Sequence, residues 1–297
     1  MICGTIWGYD WDGVRAYAHS LLASGYKGKK VLFVYNMAPN ALGALKRMGF
    51  ELIPWFPSSK GLHPITARWE PILKYFEKNR IPDRLLITDV NDCVFQSNPF
   101  DHPVMQQGGL IGATESILVG EESTHNGWSD NFRWCVAAVG RERAEEVADQ
   151  EVLCHGTFAG DGVTIHQYLS TMYDTLRQHP NPRLIDQGLG QWLIHQDPFQ
   201  QMLRVPRPKE GFILSGNFCW NSGMDPAPSV RAGVVYPLGS GTPFSIVHLT
   251  RHPKLHSVTS RHWFKEWNGV CRRCGGTRHR PGMYGPRCQD CGNHHVR

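Results

Sequence analysis

Short apolar runs and helical patterns alternate along the first hundred residues of the chain. The apolar runs have the length and composition of buried strands: CGTIW at 3–7, KKVLFVYN at 29–36, FELIPW at 50–55 and RLLITD at 84–89. Between them, three segments carry apolar side chains at helical spacing: 14–22, 40–49 and 65–76. This alternation predicts an α/β fold with a mixed, mainly parallel sheet and helices on both of its faces.

The second half of the chain has a less regular pattern. The predicted strands are GGLIGATES at 108–116 and PFSIVHLTRHP at 243–253, and the predicted helices are DNFRWCVAAVG at 130–140, GVTIHQYLSTMYDTLRQ at 162–178 and DQGLGQWLIHQ at 186–196. The longest uncharged stretch, Ala232–Thr250, contains Gly, Pro and Ser throughout. It is therefore predicted to be loop and strand, and we expect no membrane partner.

Length, composition and charge indicate one large domain followed by a small module. The chain has 297 residues, of which 41% are hydrophobic and 19% charged, enough for a packed core. Residues 261–297 contain 8 Lys or Arg and 2 Asp or Glu, whereas residues 1–260 contain 23 Lys or Arg and 24 Asp or Glu. The excess of positive charge therefore lies at the end of the sequence. We place a main domain at 1–255, and a linker with a basic module at 256–297. The opening MICGTIWGYDWDG lacks a basic region, so we expect a cytoplasmic protein (host cytoplasm if the chain is viral).

Four cysteines near the end of the chain form two CxxC pairs. Cys271, Cys274, Cys288 and Cys291 have the spacing C-x2-C-x13-C-x2-C, which resembles a zinc ribbon with one tetrahedral, structural Zn²⁺. Disulfides are the alternative, and they fit a cytoplasmic chain poorly. The arginines around the cysteines suit contact with phosphate, while a ribbon that only packs on the main domain is the alternative. They are Arg272, Arg273, Arg278, Arg280, Arg287 and Arg297, with Tyr284 among them.

Two carboxylates stand at the end of a strand that is otherwise apolar. Asp89 and Asp92 follow RLLIT directly, and ionised carboxylates at the end of a buried strand carry a high desolvation cost unless something compensates it. A divalent cation such as Mn²⁺ or Mg²⁺ does so, because hard cations prefer oxygen ligands. The alternative is a turn that Asp89 caps with its side chain, with Asn91 supplying the turn geometry and Asp92 in solvent. The spacing alone favours that turn.

The stretch RLLITDVNDCVF resembles the DxD region of glycosyltransferases with the GT-A fold. In that family an acidic motif after a strand holds Mn²⁺ or Mg²⁺ against the diphosphate of a nucleotide sugar. The spacing here, DVND, is one residue longer than the commonest form. The resemblance implies a GT-A fold, a metal site formed by Asp89, Asp92 and His248, and a nucleotide-sugar donor such as a UDP-sugar.

Further short motifs follow in the order that this resemblance implies, across roughly residues 2–255. They place Trp7, Gly8 and Tyr9 near the uracil and ribose of the donor, and Arg68 near the donor as well. Gly156 and Thr157, of CHGTFAGDG, would lie under the sugar. Asp186 and Gln187, of DQGLGQW, would face the transferred sugar, and His248 would bind the metal. Each motif has a structural alternative: His248 as a core histidine, Gly156 as a turn residue, Asp186 as a helix N-cap. Asp161 and Glu122 are candidates for a general base.

These observations favour a metal-dependent glycosyltransferase, a hexosyl- or pentosyltransferase with a nucleotide sugar as donor. A basic ribbon indicates a nucleic-acid acceptor, and similar enzymes of bacteriophages glycosylate hydroxymethylated bases in DNA. One alternative is a nucleotidyltransferase that binds a nucleoside triphosphate at the same acidic pair. Another is a nucleic-acid-binding protein whose α/β domain is inactive.

Overall fold

A computed structural model describes most of the main domain and two short strands of the terminal module. The described residues are 1–56, 64–121, 131–179, 186–216, 228–231, 234–248, 279–280 and 287–288. Among them no helix has the length and apolar character that a bilayer crossing requires.

The described strands and helices follow the predicted alternation closely. The strands are β1 Ile2–Trp7, β2 Lys30–Tyr35, β3 Glu51–Pro54, β4 Arg84–Thr88, β5 Val94–Phe95, β6 Leu110–Leu118, β7 Glu151–Asp161, β8 Leu203–Arg204, β9 Ile213–Ser215, β10 Ser229–Arg231, β11 Val234–Tyr236, β12 Ile246–His248, β13 His279–Arg280 and β14 Arg287–Cys288. The helices are α1 Trp11–Ala23, α2 Pro39–Arg47, α3 Pro64–Ala67, α4 Glu70–Phe76, α5 Asn131–Val139, α6 Arg141–Glu145, α7 Gly162–Gln178, α8 Asp186–Ile194 and α9 Phe199–Met202.

Seven of the described strands form the central sheet, in the order β3-β2-β1-β4-β7-β6-β8. The first four are parallel to one another, and β7 runs antiparallel between β4 and β6. A mixed, mainly parallel sheet is confirmed. The carboxyl ends of β1, β2 and β4 therefore meet at one edge, where Trp7 pairs with Tyr35 and Thr88 pairs with Thr157 of β7.

Helices cover both faces of the sheet because the strands alternate apolar side chains between the two sides. On one face α1 and α2 pack against a cluster that includes Ile6, Leu32 and Leu86. On the other face α4, α7 and α8 pack against a cluster that includes Phe33 and Ile87. Both clusters are removed from solvent, so the sheet forms the rigid middle layer of the domain.

The helix predicted across 65–76 is divided in two. α3 ends at Ala67 and α4 begins at Glu70, with Pro71 in its first turn. Proline has no N–H to bond the carbonyl four residues earlier, so one continuous helix through Pro71 would lose the bond to Ala67. The break leaves Arg68 at the junction, where its carbonyl accepts a hydrogen bond of 2.7 Å from the Thr5 hydroxyl.

A second, three-stranded sheet lies beside the end of β4. β12 pairs parallel with β9 and antiparallel with β5, the short strand that follows the acidic pair. Val247 lies opposite Val94 in this ladder. The pairing brings His248, at the end of β12, back to the segment that begins at Asp89, although the two are far apart in the sequence.

The terminal module is described only in part. β13 pairs antiparallel with β14, and Cys288 lies in β14. The other three cysteines of the predicted zinc site lie outside the described residues, as does the boundary predicted at residue 255. The zinc ribbon therefore stays a prediction.

A buried histidine links β7 to α7. The His155 ring is fully enclosed, with Nε2 at 2.8 Å from the Tyr168 hydroxyl and Nδ1 at 3.1 Å from the Leu153 carbonyl oxygen. Burial, followed by repulsion from Arg68, lowers the pKa of His155 to about 3. The ring is therefore neutral in the folded protein at ordinary pH.

We predict that His155→Gln makes the stability of the fold less sensitive to acid. The pKa of His155 falls from an ordinary value of 6.5 to about 3 on folding. Between these values the unfolded chain binds a proton that the folded chain does not, so stability is lost as the pH falls below 6.5. From about pH 7.5 to about pH 5, this residue alone costs about 2 kcal/mol. Urea unfolding at both pH values measures the difference.

His166→Gln, on the same helix α7, is the matched control, since the His166 side chain is not enclosed in the core. It should keep the wild-type loss of stability in acid, whereas His155→Gln should reduce that loss. An equal loss in wild type and His155→Gln would show that the ring is not held neutral by the fold.

Candidate active site

The acidic pair lies where the two sheets meet. Asp89 follows the last residue of β4, and its backbone N–H donates to the Gly156 carbonyl of β7 at 2.6 Å. Asp92 lies in the turn between β4 and β5. His248 enters from β12, which is paired with β5. Two chain segments that are far apart in the sequence, the connection between β4 and β5 and the end of β12, thus supply three side chains to one place.

The His248 ring faces both carboxylates. Its Nε2 lies 3.5 Å from Asp89 Oδ2 and 3.6 Å from Asp92 Oδ1. The other ring nitrogen, Nδ1, lies 3.2 Å from the Cys154 sulfur, which fixes the orientation of the ring. The His248 side chain is 1% exposed, that of Asp92 12% and that of Asp89 33%, so the cluster is reached from the side of Asp89.

These three side chains fit a divalent cation. Nε2 of His248 is buried without a hydrogen-bond partner, and 3.5–3.6 Å to the carboxylates is long for a hydrogen bond. Neighbouring ligands around an octahedral ion with bonds of about 2.1 Å are separated by about 3.0 Å, so a small contraction would suffice. Two carboxylates and one imidazole suit Mn²⁺ or Mg²⁺ better than a soft metal.

Local electrostatics also favour positive charge between these groups. Burial alone lowers the pKa of His248, but the groups around the ring, the Asp89 carboxylate among them, outweigh it and raise the pKa well above its ordinary value. Burial raises the pKa of the Cys93 thiol, which is therefore neutral beside the carboxylates. The hard donors of the site are thus the carboxylates and the imidazole.

Gly156 leaves the space in which the cluster forms. A Cβ atom at this position would lie 2.2 Å from His248 Cε1 and 2.6 Å from Asp89 Oδ2. Contacts this short do not occur, so any side chain here would displace the imidazole or the carboxylate. The resemblance places Gly156 under the sugar, and the groups that approach it in this structure are the side chains of His248 and Asp89.

Arg68 connects the acidic pair to a third carboxylate. Nη1 of Arg68 lies 2.8 Å from Asp89 Oδ1, and Nη2 lies 3.2 Å from Asp186 Oδ2. Nη2 also donates to the His155 carbonyl oxygen at 3.2 Å, and the guanidinium stacks over the Trp69 ring at 4.3 Å. Asp186 is the first residue of α8, and its side chain is 4% exposed.

The two carboxylates that share Arg68 differ in acidity. Burial raises the pKa of Asp89, but Arg68 and His248 outweigh burial and hold it below its ordinary value. At Asp186 burial prevails over the attraction of Arg68, and the pKa is raised. Asp89 is therefore the more acidic of the two side chains. Asp186 is protonated more readily, and its side chain is more deeply buried.

The remaining predicted residues lie in two places. Trp7 ends β1 at the same sheet edge, Gly8 turns the chain with φ +72°, and the Tyr9 hydroxyl accepts a hydrogen bond from the Asn91 amide. Gln187 follows Asp186, and its amide donates to Asn131 at 2.8 Å. Thr157 is fully buried, with its hydroxyl 3.7 Å from the Cys93 sulfur, so its side chain supports the site from within the core.

Asp161, a candidate general base, does not lie with the other predicted site residues. Asp161 lies opposite Arg84 at the far end of β4, four residue pairs from Thr88, or about 13 Å along the strand. Its carboxylate caps α7 by accepting from the Thr164 N–H and hydroxyl, and it also accepts from the Gly109 N–H. The other candidate base, Glu122, lies outside the described residues.

Sequence reasoning missed the cysteines beside His248. The sequence alone assigns no role to Cys93 or Cys154, yet Cys154 orients the imidazole and Cys93 lies next to Asp92. Their position in the chain, beside DVND and in CHG, was the available signal. The pairing of β12 with β5, which brings His248 to both, has no signature in the sequence.

Comparison with solved structures identifies the architecture. The galactosyltransferase LgtC, solved with donor and acceptor sugar analogues, matches with 13% identity and a TM-score of 0.50, over 84% of this chain and 86% of its own. An active-site mutant of LgtC matches with 12% identity and a TM-score of 0.51, over the same shares. The bifunctional glycosyltransferase WbbM in its apo form matches with 11% identity and a TM-score of 0.51, over 83% of this chain and 45% of its own.

No protein-family model matches the chain, and no curated protein matches it. At such low identity, the likeness to solved structures concerns the backbone and not the reaction. It agrees with the strand order and with the mixed central sheet described above. The central sheet and its flanking helices have the GT-A fold.

Proposed function

We propose that this protein is a metal-dependent glycosyltransferase that moves a sugar from a nucleotide sugar, a UDP-sugar, to an acceptor. The observation that carries the proposal is the convergence of Asp89, Asp92 and His248 on one space at the carboxyl end of β4. Ligands of open α/β sheets bind at that end of the strands. The matched proteins LgtC and WbbM, which share this fold, are glycosyltransferases by name, and this supports the proposal.

Asp89, Asp92 and His248 would hold Mn²⁺ or Mg²⁺. Bound there, the cation would supply Lewis-acid stabilisation for the negative charge of the leaving diphosphate. Asp89 has one oxygen, Oδ2, towards the cation site, because Arg68 binds the other. His248 presents Nε2 to the same place, because Cys154 engages its other nitrogen.

Two parts of the sheet edge would bind the donor. Trp7, Gly8 and Tyr9 follow β1 and would contact the uracil and ribose, with the turn at Gly8 bringing the backbone close. Arg68 binds Oδ1 of Asp89, the oxygen that does not face His248, and it joins Asp89 to Asp186, where the sugar would be. A buried carboxylate beside a sugar that becomes cationic stabilises the transition state electrostatically.

The placement of Asp186 and Gln187 also bears on stereochemistry. The resemblance of DQG to retaining enzymes favours retention of configuration, and inversion would need a carboxylate base on the acceptor side. Asp161 caps α7 at the other end of the sheet, and Glu122 lies outside the described residues. On the resemblance of DQG we propose retention.

The basic terminal module would present the acceptor. We propose that Cys271, Cys274, Cys288 and Cys291 bind one structural Zn²⁺, and that the arginines around them contact the phosphates of a DNA acceptor carrying hydroxymethylated bases. This part of the proposal rests on sequence spacing and charge. It is independent of the donor site.

We predict that Asp92→Asn lowers metal-dependent turnover of the donor by about 10²-fold or more, because it removes one charged ligand of the cation. The measurement is release of UDP from a panel of UDP-sugars with Mn²⁺ or Mg²⁺, with and without acceptor. Asp83→Asn is the matched control, since Asp83 is an exposed aspartate at the other end of β4.

The control should keep wild-type turnover. Consumption of a nucleoside triphosphate, with every UDP-sugar untouched, would replace the proposal with a nucleotidyltransferase. Turnover of neither donor, together with retention on DNA, would support a nucleic-acid-binding protein with an inactive α/β domain.

We predict that Gly156→Ala leaves a folded protein with much weaker Mn²⁺ binding. The added methyl group would overlap both His248 and Asp89, and their displacement costs about 1–3 kcal/mol, which corresponds to roughly 5- to 150-fold in affinity. Electron paramagnetic resonance of free Mn²⁺ measures binding, and circular dichroism monitors the fold.

Gly112→Ala is the control on the neighbouring strand β6. A Cβ atom there meets only the end of the Leu153 side chain, at 3.2 Å, so the variant should bind Mn²⁺ like wild type. Unchanged Mn²⁺ binding in Gly156→Ala would place the cation site elsewhere.

We predict that the full chain binds about one zinc ion in its terminal module and that Cys274→Ser releases it. The same variant should bind DNA less tightly and with a weaker dependence on salt, since fewer phosphates would be contacted. Donor cleavage without acceptor should be unchanged. Full zinc content in Cys274→Ser, or DNA binding unaffected by the loss of zinc, would contradict the proposed role of the module.

A further inference from the structure

A thiol lies within the proposed cation site. One ligand atom from each of Asp92, Cys93 and His248 lies within 4.8 Å of the other two. Cys93 is 1% exposed. Its sulfur lies 3.7 Å from the hydroxyl oxygen of Thr157, and a thiol forms only weak hydrogen bonds. The sulfur is therefore not committed to a strong hydrogen bond.

The fold fixes this arrangement from two sides. Asp92 and Cys93 are consecutive residues of the turn before β5, and His248 ends β12, the strand that pairs with β5. Nε2 of the buried His248 side chain has no hydrogen-bond partner and lies 3.6 Å from Asp92 Oδ1. An unsatisfied nitrogen therefore faces the turn that carries the thiol.

Asp92, Cys93 and His248 offer donor atoms that differ from the ligands that Mn²⁺ prefers. Sulfur, imidazole nitrogen and carboxylate oxygen are the ligands of Zn²⁺, at bonds of about 2.0–2.3 Å. Around a tetrahedral ion such ligands are about 3.3–3.7 Å apart, so the three side chains could close on Zn²⁺ by a small movement. Mn²⁺ gains little from sulfur and prefers the oxygens.

We propose that Asp92, Cys93 and His248 form a second, thiophilic metal site that binds Zn²⁺ in competition with the catalytic cation. The thiol proton is released to solvent when the Zn–S bond forms. Because Asp92 and His248 belong to both sets, Zn²⁺ at Cys93 removes two ligands from the catalytic cation and inhibits transfer. The inhibition rests on the proposed glycosyltransferase function, whereas the binding does not.

Binding is tested on the full chain isolated with zinc in its terminal module, with Co²⁺ alone as the probe. Zn²⁺ binds protein ligands more tightly than Co²⁺, so the terminal zinc stays in place. Wild type should gain a cobalt–thiolate charge-transfer absorption in the near ultraviolet, and added Zn²⁺ should abolish it. Cys93→Ser and Cys93→Ala should not gain this absorption. Two different variants are used so that the test still holds if one of them misfolds.

Cys135→Ser is the matched control, because Cys135 is a fully buried thiol of α5 outside the cluster. It should give the wild-type absorption. Identical cobalt spectra in wild type and both Cys93 variants would overturn the proposal, and so would a loss of the absorption in Cys135→Ser as well.

Inhibition is tested separately, as the Zn²⁺ concentration that halves the Mn²⁺-dependent activity of each variant. Relative to its own activity, Cys93→Ser should require at least about tenfold more Zn²⁺ than wild type. A cobalt–thiolate absorption in a protein that cleaves no UDP-sugar would sustain the metal site and refute the transferase. Active enzyme with equal zinc sensitivity in both proteins would refute the inhibitory site alone.

Discussion

The guanidinium of Arg68 is the group on which the candidate site depends. It binds two carboxylates, Asp89 and Asp186, that come from different parts of the chain and would otherwise repel one another. The pair with Asp186 is largely removed from water, and breaking a buried ion pair by removing one partner costs about 3–5 kcal/mol. The ion pairs therefore hold the end of β4 and the start of α8 in one geometry. Without the guanidinium, the two carboxylates would lose the positive charge that compensates both of them.

The position of Arg68 follows from a local break in the backbone. Pro71 cannot continue the helix that begins at residue 64, so the chain turns at Arg68 and Trp69 before α4 starts. Thr5 holds the Arg68 carbonyl from β1, and the Trp69 ring lies under the guanidinium. The side chain therefore enters the site from a backbone that is fixed on both sides. Its contacts with Asp89 leave one oxygen of that carboxylate for His248.

Much of this arrangement could be predicted from the sequence, and the exceptions have a physical cause. Strands such as RLLIT and helices such as 162–178 are set by local periodicity, so their types and approximate bounds were predicted correctly. The role of a single carboxylate is harder to predict, because it depends on the end of the sheet at which the residue lies. Asp161 and Asp186 both stand at the start of a helix, but only Asp186 lies at the end of the sheet that carries Asp89. Strand direction decides this, and β7 proved antiparallel to β4.

The helix break and the thiol beside Asp92 were missed for related reasons. Apolar spacing across 65–76 suits one continuous helix, and only the missing N–H of Pro71 opposes it. Cys93 follows the acidic pair in the sequence, but a thiol becomes a potential ligand only when another segment brings a nitrogen to it. That segment is β12, whose pairing with β5 is a long-range choice among apolar strands. Contacts of this kind are decided by the packing of the whole domain.

The location of the site between two sheets has a consequence for its stability. Asp89 extends from the central sheet, His248 from the small one, and Gly156 lets their side chains meet without steric conflict. A cation bound by both would join the two sheets at their point of contact. Because the unfolded chain cannot bring these ligands together, the binding free energy would add to the stability of the fold. The same geometry that would hold the metal would thus make the small sheet depend on it.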